Sequence, residues 1–97
     1  MLDSKQRAKL RAMASGLEPW FQIGKGGIND NMIADISAAL EAHELVKISV
    51  LRTADGSAKE LMAELASALG AEQVAAIGSK IVLYRRSTRE GAAHIEL

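Results

Sequence analysis

Three glycines and a lysine separate an apolar run from an amphipathic one, in the stretch Ile23-Gly24-Lys25-Gly26-Gly27-Ile28-Asn29. The residues before it, Trp20-Phe21-Gln22-Ile23, read as a strand, and those from Asn29 onward read as a helix. Glycine tolerates positive φ and lets another backbone come close. A helix N-terminus presents free N–H groups and a partial positive charge. A strand-to-helix junction of this composition therefore has two readings. It is a tight turn and nothing more, or it is a loop shaped to receive an anion such as phosphate, with Lys25 adding charge.

The rest of the chain frames this junction. Residues 4–15 read as a helix, with Ser4 as N-cap and Gly16 at its C-terminal end. Lys5 and Lys9 lie one turn apart on it, as do Arg7 and Arg11. A short strand over residues 18–23 follows, with Pro19 near its start. The second helix spans 29–43, capped by Asn29, with Ile33, Ile36 and Leu40 at helical spacing. His43 reads as a helix C-terminal residue favoured by the dipole rather than as a metal ligand.

The period then changes from 3.6 to 2. Val46, Ile48 and Val50 alternate with Lys47 and Ser49, the pattern of a strand with one wet face, which implies a sheet covered by helices on one side only. Ser57 and Glu60 match a capping box opening a third helix that stops at Gly70. Two apolar runs, 73–77 and 80–85, flank Gly78-Ser79, a hairpin signal. The tail from Arg86 has no clear period and is expected to be loosely held, with a short edge strand near 94–97. The expected fold is α/β: a small two-layer sandwich of order α-β-α-β-α-β-β, its four-stranded mixed sheet carrying helices mainly on one face. The expected organisation is one domain over residues 1–86 and a tail over 87–97.

Composition narrows the function. The chain has 97 residues, 48% of them hydrophobic, and its formal net charge is zero, which suits a single globular domain. The absence of cysteine removes thiolate chemistry and suits a reducing, cytoplasmic setting. No apolar run approaches the roughly 20 residues of a membrane span, and the first residues lack a signal-peptide core. Zero net charge hides an asymmetry. Residues 1–27 carry five bases against two acids, whereas residues 28–70 carry three against seven. A basic end of this kind can steer and hold a polyanion.

Several chemistries are excluded. The glycine loop lacks the spacing of a nucleotide-binding P-loop. It also lacks the third glycine and the distal acid of a dinucleotide fingerprint. No paired carboxylates, histidine cluster or nucleophile-plus-base set stands out, so no catalytic residue, metal site, cofactor or small-molecule substrate is expected. What remains is a tetrapeptide with glycine at its first and fourth places, Gly24-Lys25-Gly26-Gly27. KH-type modules use this spacing to clamp a single-stranded RNA backbone, because missing side chains let phosphates reach main-chain N–H groups.

Three motifs in order, the loop, His43-Glu44-Leu45-Val46-Lys47-Ile48, and Ile77-Gly78-Ser79-Lys80-Ile81-Val82-Leu83-Tyr84-Arg85, make the chain resemble the YhbY family of bacterial RNA-binding proteins. The module of that family is the CRM domain of chloroplast RNA splicing and ribosome maturation factors. The resemblance covers roughly residues 3–86. It implies a fold like the C-terminal domain of bacterial translation initiation factor three, association with rRNA of large-subunit precursors, and no enzymatic activity. In this family a base often follows the glycine of the last motif directly; here Ser79 takes that place and Lys80 comes next.

The expected RNA-binding residues are Gly24, Lys25, Gly26 and Gly27 in the loop, Lys5, Arg7, Lys9 and Arg11 on the first helix, and Arg85 and Arg86 after the last strand. Trp20, Phe21 and Tyr84 are read as strand residues of the core rather than as stacking platforms. The alternative is a protein-interaction module whose basic first helix docks an acidic partner.

Overall fold

The computed structural model describes residues 2–97; Met1, where the expected domain begins, lies outside the described residues. The elements follow in the expected order: α1 (Ser4–Ala14), β1 (Phe21–Ile23), α2 (Asp30–His43), β2 (Leu45–Val50), α3 (Ala58–Leu69), β3 (Glu72–Ile77) and β4 (Lys80–Tyr84). Local chemistry explains most of the boundaries. The Asn29 side chain accepts a hydrogen bond from the Met32 N–H at 2.8 Å and opens α2. Ser57 and Glu60 form the reciprocal capping box of α3, and Gly70, at φ 61°, ends that helix in the left-handed region.

Two boundaries shift. The cap of α1 is Asp3, not Ser4: the Asp3 carboxylate accepts from the Gln6 N–H at 2.8 Å, and the Gln6 side chain accepts from the Asp3 N–H at 3.1 Å. A carboxylate outcompetes the neighbouring hydroxyl because an N-cap bond to a charged acceptor is the stronger one. At the other end Ser15 is the C-cap and stays right-handed, so Gly16 does not act as a left-handed stop. Strand β1 also begins later than residue 18. Pro19 has no N–H to give, and pairing starts when the Trp20 N–H donates to the Lys47 carbonyl at 3.2 Å.

The four strands form one mixed sheet of order β1-β2-β4-β3. Strand β1 is parallel to β2, while β4 is antiparallel to both its neighbours. The main core lies between the sheet and helices α2 and α3, and includes Ile23, Ile36, Leu40, Val46, Ile48, Leu65, Ile81 and Leu83. Helices therefore sit mainly on one face, as expected. The opposite face is nonetheless not wet. Helix α1 crosses it and builds a second core from Leu2, Leu10, Ala14, Leu45, Val74, Val82 and Tyr84. The alternation in β2 misleads because Lys47 reaches up to the end of α1, where its ammonium donates to the carbonyls of Ala14 (3.3 Å) and Leu17 (3.2 Å). The Ala14 carbonyl also accepts from the Leu17 N–H at 3.0 Å, so the lysine adds a charged donor to the turn that ends the helix.

The tail is tied down by side chains rather than by an edge strand. Glu44, between α2 and β2, adopts φ 65° and is 1% exposed. Its carboxylate accepts from the Ser87 N–H (2.6 Å), the Ile95 N–H (2.7 Å) and His94 Nδ1 (2.5 Å). Burial pushes the Glu44 carboxyl up, but the His94 bond and the two N–H donors together outweigh it and hold the group below the usual carboxylate value. Arg85 makes a second tie. Its guanidinium donates to the Leu69 carbonyl at 2.9 Å and to the Ser37 carbonyl and hydroxyl at 3.0 and 2.9 Å, and it lies 3.6 Å from Glu41. One side chain thus joins β4, the end of α3 and the middle of α2.

Two outcomes test these ties. The Glu44 contribution is present above its unfolded value near 4.5 and is lost as pH falls through the lower folded value. The protection of the Ser87 and Ile95 amides against hydrogen exchange, relative to the intrinsic rate at each pH, should therefore fall below about pH 4.5 while core amides stay protected, and Glu44→Ala should give the same local release at neutral pH. Arg85→Ala should lower stability in urea unfolding by about 2–3 kcal/mol, because it strands carbonyls at the α3 terminus.

Candidate nucleic-acid interface

Because β1, β2 and β3 all run the same way, their C-terminal ends share one end of the sheet with the start of β4. The glycine loop after β1, the turn after β2 and the β3–β4 hairpin turn meet there. Two backbone bonds lock them together: the Leu51 N–H donates to the Ile23 carbonyl at 2.8 Å, and the Val50 N–H to the Ser79 carbonyl at 2.7 Å.

The loop is both a tight turn and an open surface. The Gly27 N–H donates to the Gly24 carbonyl at 2.9 Å, which places Lys25 and Gly26 at the corners. Gly27 has φ 66°, a conformation that glycine adopts without strain. Gly24 faces the turn after β2: a Cβ there would lie 3.4 Å from Leu51 and from Thr53, an ordinary contact. Gly26 is different. Its φ is not in the left-handed region, and a Cβ added to it would meet nothing within 4 Å. Nothing inside the fold requires glycine at that corner. Lys25 beside it is exposed, and among the described residues it takes part in no hydrogen bond or ion pair.

The structure distributes the other expected bases unequally. Arg11 lies by the hairpin, where it shares an opening with Lys47 and Lys80. Arg7 turns toward the start of β3, and its guanidinium donates to the Leu2 carbonyl at 3.3 Å. Lys5 and Lys9 lie on the tail side of α1, beside Leu97. Arg86 is exposed but follows β4 at the end of the sheet away from the loop. Arg85 is no free phosphate contact: its donors are taken up by Leu69, Ser37 and Glu41.

Two bases that the sequence reading did not select, Arg52 and Lys80, stand at the loop end, and a third, Lys47, lies mid-strand on the α1 face. Arg52 is exposed in the turn after β2, next to the strand that leads into the loop. Lys80 donates to the Ser49 hydroxyl at 3.0 Å and pairs in register with both Ser49 and Ile77. Lys47 caps α1 from below. Arg52 sits in the acidic middle of the sequence, and only the sheet order brings it to this end. Trp20 is also misplaced by the sequence reading. It precedes β1, is 48% exposed, and its ring lies 4.7 Å from that of His43. Tyr84 is buried and Phe21 packs against the main core, as expected.

Among the described residues no group of three or more His, Asp or Glu side chains could hold a metal ion, and no helix is long and apolar enough to cross a membrane. The arrangement supplies main-chain donors and ammonium and guanidinium groups, the chemistry that meets an anion.

Comparison with known proteins agrees with this picture. The CRS1 / YhbY (CRM) domain family matches residues 2–85. The chain is 46% identical over 87 residues to a Bacillus subtilis protein named Probable RNA-binding protein YqeI, covering 90% of this chain and 91% of that one. It is 37% identical over 87 residues to a Haemophilus influenzae protein named RNA-binding protein, covering 89% and 87%. The solution structure of SAV1595 from Staphylococcus aureus, described as a candidate RNA-binding protein, superimposes with a TM-score of 0.78 at 48% identity, covering 93% of this chain and 94% of that one. With a matching sequence signature, the same sheet and helices, and relatives aligned nearly end to end, the chain belongs to the CRS1 / YhbY (CRM) domain family.

Proposed function

We propose that this protein is a non-catalytic RNA-binding protein that associates with rRNA of precursor large ribosomal subunits in the cytoplasm, gripping the RNA backbone with the Gly24–Gly27 loop. The observation that carries the reading is the outer corner of that loop. The fold does not need glycine at position 26, and Lys25 beside it has no partner among the described residues. A polyanion would use both, the bare corner for close approach and the ammonium for a phosphate. The names of the relatives support RNA as the ligand. The family resemblance supports the ribosomal precursor.

The proposed contacts extend from Lys25 to Arg52 and Lys80 at the same end, and along α1 through Arg11. Lys5, Arg7, Lys9 and Arg86 lie further away and add longer-range attraction. Arg85 is left out because its charge is used within the fold. With few aromatic side chains exposed, selectivity comes from RNA shape rather than from base stacking.

Lys25→Asp combined with Gly26→Asp should weaken binding to a single-stranded RNA decamer at least tenfold, measured by fluorescence anisotropy, with an unchanged circular dichroism spectrum and melting curve. Binding equal to the wild type in a folded variant would favour a protein partner for the basic helix instead. For four to six phosphate contacts the wild type should show a log–log salt slope of roughly −3 to −4, and Lys25→Ala should reduce it by about 0.7. In a sucrose gradient of growing cells, the wild type but not the double variant should travel with large-subunit precursors.

A further inference from the structure

On the face covered by α1, an open cleft of about 470 Å³ separates that helix from the β3–β4 hairpin. Its origin is visible in the sequence. Apart from Arg11, the helix presents small side chains to the hairpin there, Ala8, Ala12 and Ser15 at helical spacing, where larger residues would have closed the gap. The sheet side is apolar, with buried Val82 beneath and Ile77 at the rim. Ile77 is 55% exposed on an edge strand, a place where proteins normally avoid a large apolar residue. Three bases stand around the opening, Arg11, Lys47 and Lys80, and no acid lines it. In a chain with as many acids as bases, three bases and no acid around one opening make a local positive site.

We propose that this cleft seats one unpaired nucleotide of the bound RNA, with its base on the apolar wall of Val82 and Ile77 and its phosphate between Arg11 and Lys80. The proposal rests on the RNA-binding reading above and names a second contact of the same interface. The size falls within the range of pockets that take small organic groups. The donors are available. Lys80 uses one N–H on Ser49 and Lys47 uses two on the end of α1, and each ammonium has three.

The position suits an RNA already held at the loop. Gln22, Ser49, Lys80 and Ile77 pair in register as one row across all four strands, just below the loop end. Three strand spacings, about 14 Å, separate the two edges of that row. A backbone segment of about four nucleotides clamped by a GxxG loop has the length to cross it. The sheet then acts as a bar, with the backbone gripped over β1 and a base lowered into the cleft beside β4 and β3.

The test uses the whole chain, a single-stranded uridine decamer, uridine monophosphate, inorganic phosphate and a hexaglutamate peptide as probes. Methyl NMR should show the Ile77 and Ala12 signals moving with the decamer and with uridine monophosphate, and much less with phosphate. Ala12→Leu fills the cleft without changing charge or helix propensity, and should weaken decamer binding about fivefold to tenfold, the order expected for one lost apolar seat. Should Ala12→Leu perturb folding, Ile77→Ser at an exposed position gives the same readout. Wild-type decamer affinity in both cleft variants, alongside lost affinity in the loop variant, would overturn the cleft and leave the loop standing. No decamer binding by the wild-type chain would overturn the RNA reading and the cleft with it. Equal shifts with phosphate alone, or with hexaglutamate, would also overturn the base seat, by assigning the opening to a bare anion or to an acidic protein.

Discussion

Strand β2 has to satisfy two cores at once. Its even-numbered residues, Val46 and Ile48, are fully buried beneath α2 and α3, while Leu45 and Ser49 are buried on the other face. It also holds β1 on one side and β4 on the other. Burying one such aliphatic side chain contributes about 1.5–3 kcal/mol, so β2 anchors both layers. Everything functional is positioned through it. The loop end is tied to β2 at Leu51, the hairpin turn at Val50, and the end of α1 at Lys47.

Charged side chains do much of the remaining joining, and each one so used has fewer donors or acceptors left for a ligand. Lys47 closes the carbonyl end of α1, Arg85 links α2 to α3, and Glu44 gathers the tail. In each case an ionised group meets backbone partners, which makes a stronger hydrogen bond than a neutral one. A residue count therefore misstates the field that a polyanion would meet. Arg85 adds little to it, whereas Lys25, Arg52 and Lys80, from three separate stretches, stand together at the ends of neighbouring strands.

What was legible in the sequence was local. Helices α2 and α3 and the hairpin carry their own signals, a cap at Asn29, a capping box at Ser57 and a turn at Gly78-Ser79. The fold class followed from their order. What was not legible depended on contacts distant in sequence. The α1 side of the sheet looked wet because Lys47 alternates with apolar residues, and only the carbonyls of Ala14 and Leu17, which α1 and the turn after it bring over the strand, explain a lysine there. The tail has no period because it is held by a carboxylate some fifty residues earlier, at Glu44. Its αL geometry at a non-glycine residue leaves no mark that pattern reading could find. In the candidate site the glycine loop was legible as a junction, but the partners of that loop were set by strand order, which the sequence pattern leaves open.

Turn and ligand site were opposed as readings of the loop, yet the structure separates them by residue. Gly27 answers to the turn, since its positive φ suits glycine whatever the loop touches. Gly24 faces a neighbour, with Leu51 and Thr53 at ordinary contact distance from where a side chain would begin. Gly26 answers to neither, and stands with Lys25 where solvent is. A corner residue with ordinary backbone geometry and free space would, on stability alone, gain from a side chain, because glycine leaves the unfolded chain more conformational freedom to lose. The bareness of that corner runs against the interest of the fold, and this is the ground on which the close approach of an RNA backbone is proposed there.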